Sequence, residues 1–218
     1  MTRVIQGSKI KPTRGVQRRT AILKGATEVF LEQGYEGARL EEVIRRSGGS
    51  LATLYAEFEG KEGLFGAIIA EICEEMVASL PAIDGPGSGA PEEALFAFGS
   101  TYVGLLLTPV SLALYRVVIG DGTRFPELGR AVFEAGPTVA AARLSAYLRQ
   151  QTEVGALAVN EPDLAARHFL EMVKGDLHFR ALLGLGTLPA IEEVDACVGS
   201  ATRTFLNGIA PKATRSGS

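Results

Sequence analysis

The chain has 218 residues, 46% of them hydrophobic and 22% charged, and a formal charge of −3. That length holds one large domain or two small ones, and no apolar run reaches the roughly 18 residues needed to cross a bilayer. Arg3, Lys9 and Lys11 near the N-terminus are not followed by an apolar segment, so no secretory signal is expected.

Two cysteines far apart, Cys73 and Cys197, show neither ligand nor disulfide spacing. They are expected to be reduced thiols in a cytoplasmic protein. The charge is unevenly spread. Up to Glu62 there are 11 Lys and Arg against 8 Asp and Glu, and beyond it 11 against 17. The first 24 residues hold seven basic side chains and no acidic one. Such an arm suits phosphate neutralisation, and it has the composition of a solvated tail as well.

Residues 1–16, broken by Gly7, Pro12 and Gly15, are expected to form a flexible basic arm. A helix follows over 17–33, with Ala21, Ile22, Ala26, Val29 and Phe30 inward and Gly34 ending it. Leu40, Val43 and Ile44 then recur at helical spacing, until Gly48 and Gly49 supply the left-handed conformations that close a helix. Ser50 is a candidate N-cap for a second short helix in which Leu51, Leu54 and Phe58 form the apolar stripe. Two short helices across a glycine turn make a helix-turn-helix, whose second helix is the usual reader of a DNA major groove. A fourth helix begins near Lys61 and runs to about Leu80.

Residues 81–91 (PAIDGPGSGAP) read as a loop, including Gly85, Gly87 and Gly89. Further helices are expected over 92–107, 110–119, 126–135, 138–151, 162–183 and 191–209, with Pro109 as a breaker and a polar tail over 211–218. The fold class is therefore all-α, with about nine to ten helices and no strands. Its domains are a helix-turn-helix part over 17–65 and a larger helical part over 66–210.

Catalysis has no foothold in this sequence. His168 and His178 are ten apart and do not share a helical face as a metal pair would. There is no nucleophile elbow and no phosphate loop. Adjacent acids such as Glu74 and Glu75 diverge around a helix instead of forming a dyad. No enzyme, cofactor or metal is expected.

The run Ser50, Thr53, Leu54, Tyr55, Phe58, Lys61, Glu62, Leu64, Phe65, with Ala26, Phe30, Gly34 and Tyr35 upstream, resembles the DNA-binding signature of TetR/AcrR-type transcriptional regulators. The match covers residues 17–69. The resemblance implies that Tyr55 and Lys61 contact phosphates, and that Ser50 and Thr53 cap the reading helix and touch backbone or base. Where many relatives carry Thr, Lys, Gly and an aromatic residue, this chain has Ala38, Leu51, Ala52 and Glu57. Arg39 is the first candidate to replace the lost anchors, with Arg45, Arg14, Arg18 and Arg19 behind it. Glu57 is placed to accept from a cytosine amino group.

The resemblance also implies a homodimer on a near-palindromic double-stranded DNA operator and a small-molecule effector. The dimer surface is expected from Leu170, Val173, Leu177, Val194, Val198, Ala201 and Phe205. The effector pocket is expected from Phe98, Tyr102, Tyr115, Arg116, Phe133, His168 and Met172, with His178 as a further polar candidate. The function expected is a repressor released by a ligand. The alternatives are an activator, an interaction protein of the same fold that has lost operator binding, and, last, a helical enzyme.

Overall fold

The computed structural model describes residues 14–83 and 90–209. Residues 1–13 of the basic arm, residues 84–89 of the Gly- and Pro-rich loop and the tail over 211–218 lie outside the described residues. Every regular element among the described residues is a helix. The chain divides into two compact units between Ile68 and Ile69.

The first unit holds α1 (Arg14–Gly37), α2 (Leu40–Ser47), α3 (Leu51–Phe58) and the first turns of α4 (Lys61–Ser79). Helix α1 starts earlier than the composition of the arm suggests. Arg14, Gly15 and Val16 are helical despite the glycine, because one Gly in a first turn costs little. Gly34, with φ 71° and ψ 174°, breaks the helical geometry where the chain was expected to turn. Ile22, Ala26, Val29 and Phe30 are buried at 1% exposure or less.

Around the break, Phe30 stacks on Tyr35 at 5.6 Å, and Phe65 of α4 meets both rings edge-on at 5.4 Å. This aromatic trio joins the end of α1 to the start of α4, and its edge-to-face geometry adds to the area buried. At Gly63 a Cβ would fall 2.0 Å from the Phe58 carbonyl oxygen. Only glycine lets the first turn of α4 approach the end of α3 so closely.

The second unit holds the rest of α4, then α5 (Pro91–Leu106), α6 (Pro109–Asp121), α7 (Pro126–Ala135) and α8 (Pro137–Glu153). After these come α9 (Pro162–Lys174), α10 (Leu177–Leu182) and α11 (Ile191–Ile209). Pro109 lies at the break between α5 and α6, as expected, and is itself the first residue of α6, where its missing N–H is no loss. The preceding Thr108 caps that helix, its hydroxyl accepting the Ser111 N–H at 3.3 Å. The single helix expected over 162–183 is two. Gly175 takes φ 49° and divides α9 from α10.

α5 packs on α9 and α11, and α8 packs on α7 and α9. Where α5, α9 and α11 meet, Gly99 leaves room that a Cβ would not, since Val198 Cγ1 would lie at 2.9 Å and Val173 Cγ1 at 3.1 Å. Leu95, Phe98, Val103, Leu144, Phe169 and Val198 form the centre of the core.

That packing corrects the expected dimer surface. Leu170, Val173, Leu177, Val194, Val198, Ala201 and Phe205 are all 9% exposed or less within their own chain. A side chain already buried in its own core has no surface left to bury against a partner. The large apolar side chains that do stand open in this region are Phe179, Leu183, Leu185, Leu188 and Ile191, each 50% exposed or more.

No single helix is long and apolar enough to cross a membrane among the described residues. The pair α5–α6 approaches that composition but is bent by 65°, and α5 is largely core.

Candidate nucleic-acid interface and apolar crevice

In the first unit the turn between α2 and α3 is built from Gly48 (φ 76°), Gly49 (φ 102°) and Ser50. The Gly48 N–H closes α2 on the Ile44 carbonyl. Ser50 caps α3, its Oγ accepting the Thr53 N–H at 3.2 Å and lying 3.0 Å from the Thr53 hydroxyl. The cap sets where α3 begins, so Leu54 and Phe58 point inward, while Ala52, Tyr55, Ala56 and Glu57 are exposed. Tyr55 is 53% exposed. It is a surface aromatic, not a core ring.

The charges around α3 fall into two groups. Arg45 binds Glu42 through two nitrogens at 2.6 Å each. Arg46 grips Glu32 at 2.8 and 2.6 Å and also donates to Glu42 at 2.8 Å. Hydrogen bonds from Arg45 and then Arg46 hold the Glu42 carboxyl down at about 2. Arg45, expected as a substitute phosphate anchor, is therefore committed to an acid of its own helix.

Arg19 reaches from α1 to Glu57 at 3.2 Å, and its guanidinium lies 4.9 Å from the centre of the Phe58 ring. Glu57 thus does not confront phosphates as an uncompensated charge. Arg18 and Arg39 are exposed, and neither has an ion-pair partner among the described residues. Lys61 donates to the Glu36 carbonyl at 2.9 Å and sits 5.0 Å from the Tyr35 ring centre. The first turn of α4 is thereby tied to the end of α1.

The second unit contains an apolar crevice with about 600 Å³ of space between atoms, part of it open to solvent. Ile69, Ile72, Cys73 and Met76 of α4 form one wall, and Tyr102, Leu105, Leu114, Tyr115 and Ala140 contribute to the others. No charged side chain among the described residues lines it.

Burial, aided by Tyr115 and Glu171, pushes the Tyr102 phenol well above its ordinary range. Burial, with Cys73 and Glu171, pushes Tyr115 up to about 12. Burial also raises the Cys73 thiol. His178 is 8% exposed, meets Tyr115 edge-on at 5.0 Å, and is held down at about 4 by burial and then by Lys174. All four groups are neutral near pH 7.

Of the residues expected in a pocket, Tyr102 and Tyr115 line this crevice. Phe98 is fully buried core. Arg116 donates to the Leu182 and Ala181 carbonyls at 3.1 and 2.7 Å, closing the end of α10. Phe133 is 62% exposed and borders an adjoining depression with Tyr102, Arg167 and Glu171. His168 is exposed on α9, and Met172 packs against the core. Sequence reasoning passed over the α4 wall. Its apolar spacing was visible, but spacing does not show whether a stripe faces core or crevice. No group of three or more His, Cys, Asp or Glu side chains is placed to hold a metal among the described residues.

Comparison with known proteins agrees with this geometry. Residues 22–68 match the family model described as bacterial regulatory proteins, tetR family. Residues 93–208 match the AefR-like transcriptional repressor, C-terminal domain. The HTH-type transcriptional repressor ComR of Escherichia coli is 38% identical over 72 residues, 32% of this chain and 34% of that one. The matched stretch thus spans about a third of that relative's length.

Among solved structures, the flavonoid-responsive regulator FrrA is 30% identical, with a TM-score of 0.80 over 91% of this chain and 100% of that one. A TetR-family regulator from Mesorhizobium loti shares the fold at 24% identity, with a TM-score of 0.80 over 92% of this chain and 100% of that one. The helices, the capped turn and the exposed reading face define a helix-turn-helix, DNA-binding transcriptional regulator, not an enzyme. The chain belongs to the TetR family, and its C-terminal part is of the repressor type.

Proposed function

We propose that the protein is a cytoplasmic homodimeric repressor that binds a near-palindromic operator and leaves it when a small molecule fills the apolar crevice. The observation that carries this reading concerns α4. One continuous helix begins in the DNA-binding unit, where Lys61, Leu64 and Phe65 hold it, and then supplies Ile69, Ile72, Cys73 and Met76 to the crevice. A ligand wedged against that wall acts on the helix that leads into the reading unit. It shifts operator affinity only as far as it favours one arrangement of the dimer over the other.

On DNA, Tyr55 and Lys61 contact phosphates, joined by Arg39 and Arg18. Ser50 and Thr53 set the start of the reading helix, and Glu57 offers an acceptor to a cytosine amino group beside Arg19. A second subunit covers Phe179, Leu183, Leu185, Leu188 and Ile191, since so many large apolar side chains exposed within 13 residues of chain point to an interface. The name of FrrA makes flavonoids the first effectors to try. The competing idea of a fold that has lost operator binding rests on the Leu51, Ala52 and Glu57 departures, of which the Glu57 charge is balanced by Arg19.

Selection of duplexes from a random pool by the purified protein is the test. A near-palindrome should be enriched, and the double variant Tyr55→Ala, Lys61→Ala should bind it about 100-fold less tightly, as expected for two charge-assisted contacts. No enrichment at low salt, where electrostatic attraction is strongest, would remove free-state operator binding. Sedimentation of Leu185→Glu with Ile191→Glu should show monomers where the native chain shows dimers.

A further inference from the structure

Arg19, Arg45 and Arg46 are each paired with an acid, but not in the same way. Arg45 gives Nε and Nη2 to Glu42, and Arg46 spends Nε, Nη1 and Nη2 on Glu42 and Glu32. Their donor forks are filled. Arg19 gives only Nη1, to Glu57 Oε1 at 3.2 Å, and its Nε and Nη2 make no hydrogen bond among the described residues. Its side chain is 44% exposed.

The Arg19 guanidinium is nonetheless held from two sides. It lies 4.9 Å from the centre of the Phe58 ring, and Phe58 is itself buried, so this platform is fixed. A cation over an aromatic face is attracted to the ring. Glu57, the neighbouring residue of α3, takes one end of the fork. The two contacts draw an arginine of α1 onto the outer side of α3. An exposed ion pair adds at most about 1 kcal/mol to stability, so folding gives the contact little to do. Its larger consequence is orientation, because a planar fork already held in place loses less freedom when it binds.

Glu57 is one residue from the end of α3, whereas base edges are met mainly by the N-terminal part of a reading helix. Beside that far end the groove is walled by backbone, and most protein–DNA hydrogen bonds go to phosphate and sugar. Guanidinium and phosphate fit through two parallel hydrogen bonds. We infer that Glu57 is a positioning residue for Arg19, holding the guanidinium against Phe58 so that Nε and Nη2 bind an operator phosphate. An acid on a DNA-binding face ordinarily repels phosphates; here it raises affinity through the cation it places. This inference rests on the proposal that the exposed face of α3 meets an operator.

The test titrates the full native chain, Arg19→Ala, Glu57→Ala and the double variant against the selected operator and against a scrambled duplex of the same length, over a series of salt concentrations. On the scrambled duplex base readout drops out and phosphate contacts remain. Arg19→Ala should weaken both duplexes by about three- to tenfold and reduce the salt slope by about one. Glu57→Ala alone should weaken the scrambled duplex by about threefold. In the Arg19→Ala background the same change should strengthen it, because the acid then has no cation to place. Thermal melting shows that each variant remains folded.

Tighter binding by Glu57→Ala in the presence of Arg19 overturns the inference. So does an equal effect of Glu57→Ala in both backgrounds, or a salt slope that Arg19→Ala leaves unchanged. A native chain that prefers no duplex defeats the operator reading, and the cycle on the scrambled duplex still decides the pairing. A folded native chain that binds neither duplex at low salt defeats both.

Discussion

The two units solve opposite problems with charge. In residues 14–68 the working groups lie on the outside: Tyr55 is half exposed, Arg18 and Arg39 are open, and Arg19, Arg45 and Arg46 are held in place by Glu57, Glu42 and Glu32. In residues 69–209 the candidate site is inside, its wall bare of charged side chains among the described residues and its Tyr115 and His178 neutral. A surface that meets polyphosphate needs cations kept from folding back onto stray acids. An apolar crevice has no such need. The difference teaches that exposed polar side chains mark the candidate site in the first unit, while an apolar wall marks it in the second.

The contrast can be broken most forcefully from the core. Phe98→Ala, at a fully buried position where α5 packs on its neighbours, should cost about 3–5 kcal/mol in chemical denaturation. A loss near zero would mean that the second unit is not organised around that helix.

Next comes acid. The Glu42 carboxyl is depressed from an ordinary 4.5 to about 2 by Arg45 and Arg46. A group with a depressed native pKa adds stability that is fully present above its unfolded value and lost as pH falls toward its native one. The denaturation midpoint should therefore drop between pH 4.5 and 2, and Glu42→Gln should flatten that part of the curve. An unchanged curve would show that this exposed network does not hold the first unit.

The smallest effect expected is a gain. Glu59 is the one non-glycine residue with positive φ among the described residues, at 63°. Glu59→Gly should raise stability by about 0.5–1 kcal/mol by removing left-handed strain, read as a higher midpoint at neutral pH.

The first unit was open to reading because its signals are local. Gly48, Gly49, the Ser50 cap and the Leu54–Phe58 stripe lie within a dozen residues, and each acts through its own backbone. What escaped were partnerships across the chain. Arg19 and Glu57 are 38 residues apart, and no spacing rule links them. Arg45 looked available because its acid, Glu42, sits on the same helix and reads as a solvated face.

In the second unit the helices were found nearly to the residue, yet their faces were misassigned. Val173, Val198 and Phe205 form a stripe that looks the same whether it meets its own core or another chain. Only Gly99, admitting α5 against Val173 and Val198, reveals which. The break at Gly175 was hidden in a run otherwise suited to one long helix. Tyr102 and Tyr115 do line the crevice, whereas the α4 residues opposite them were not among those expected. A crevice is defined by what fails to fill it, which composition does not record.

The division of labour between the units is tested most directly by one variant with two readouts. Tyr55→Ala is compared with the native chain for affinity to the selected duplex and, in the same preparation, for its melting transition. The account predicts that operator affinity falls by about tenfold or more, while the melting transition stays as it was. A parallel loss of both would contradict it, showing Tyr55 to be structural. An unchanged operator affinity would contradict it equally, because the exposed face of α3 would then not be the surface that holds DNA.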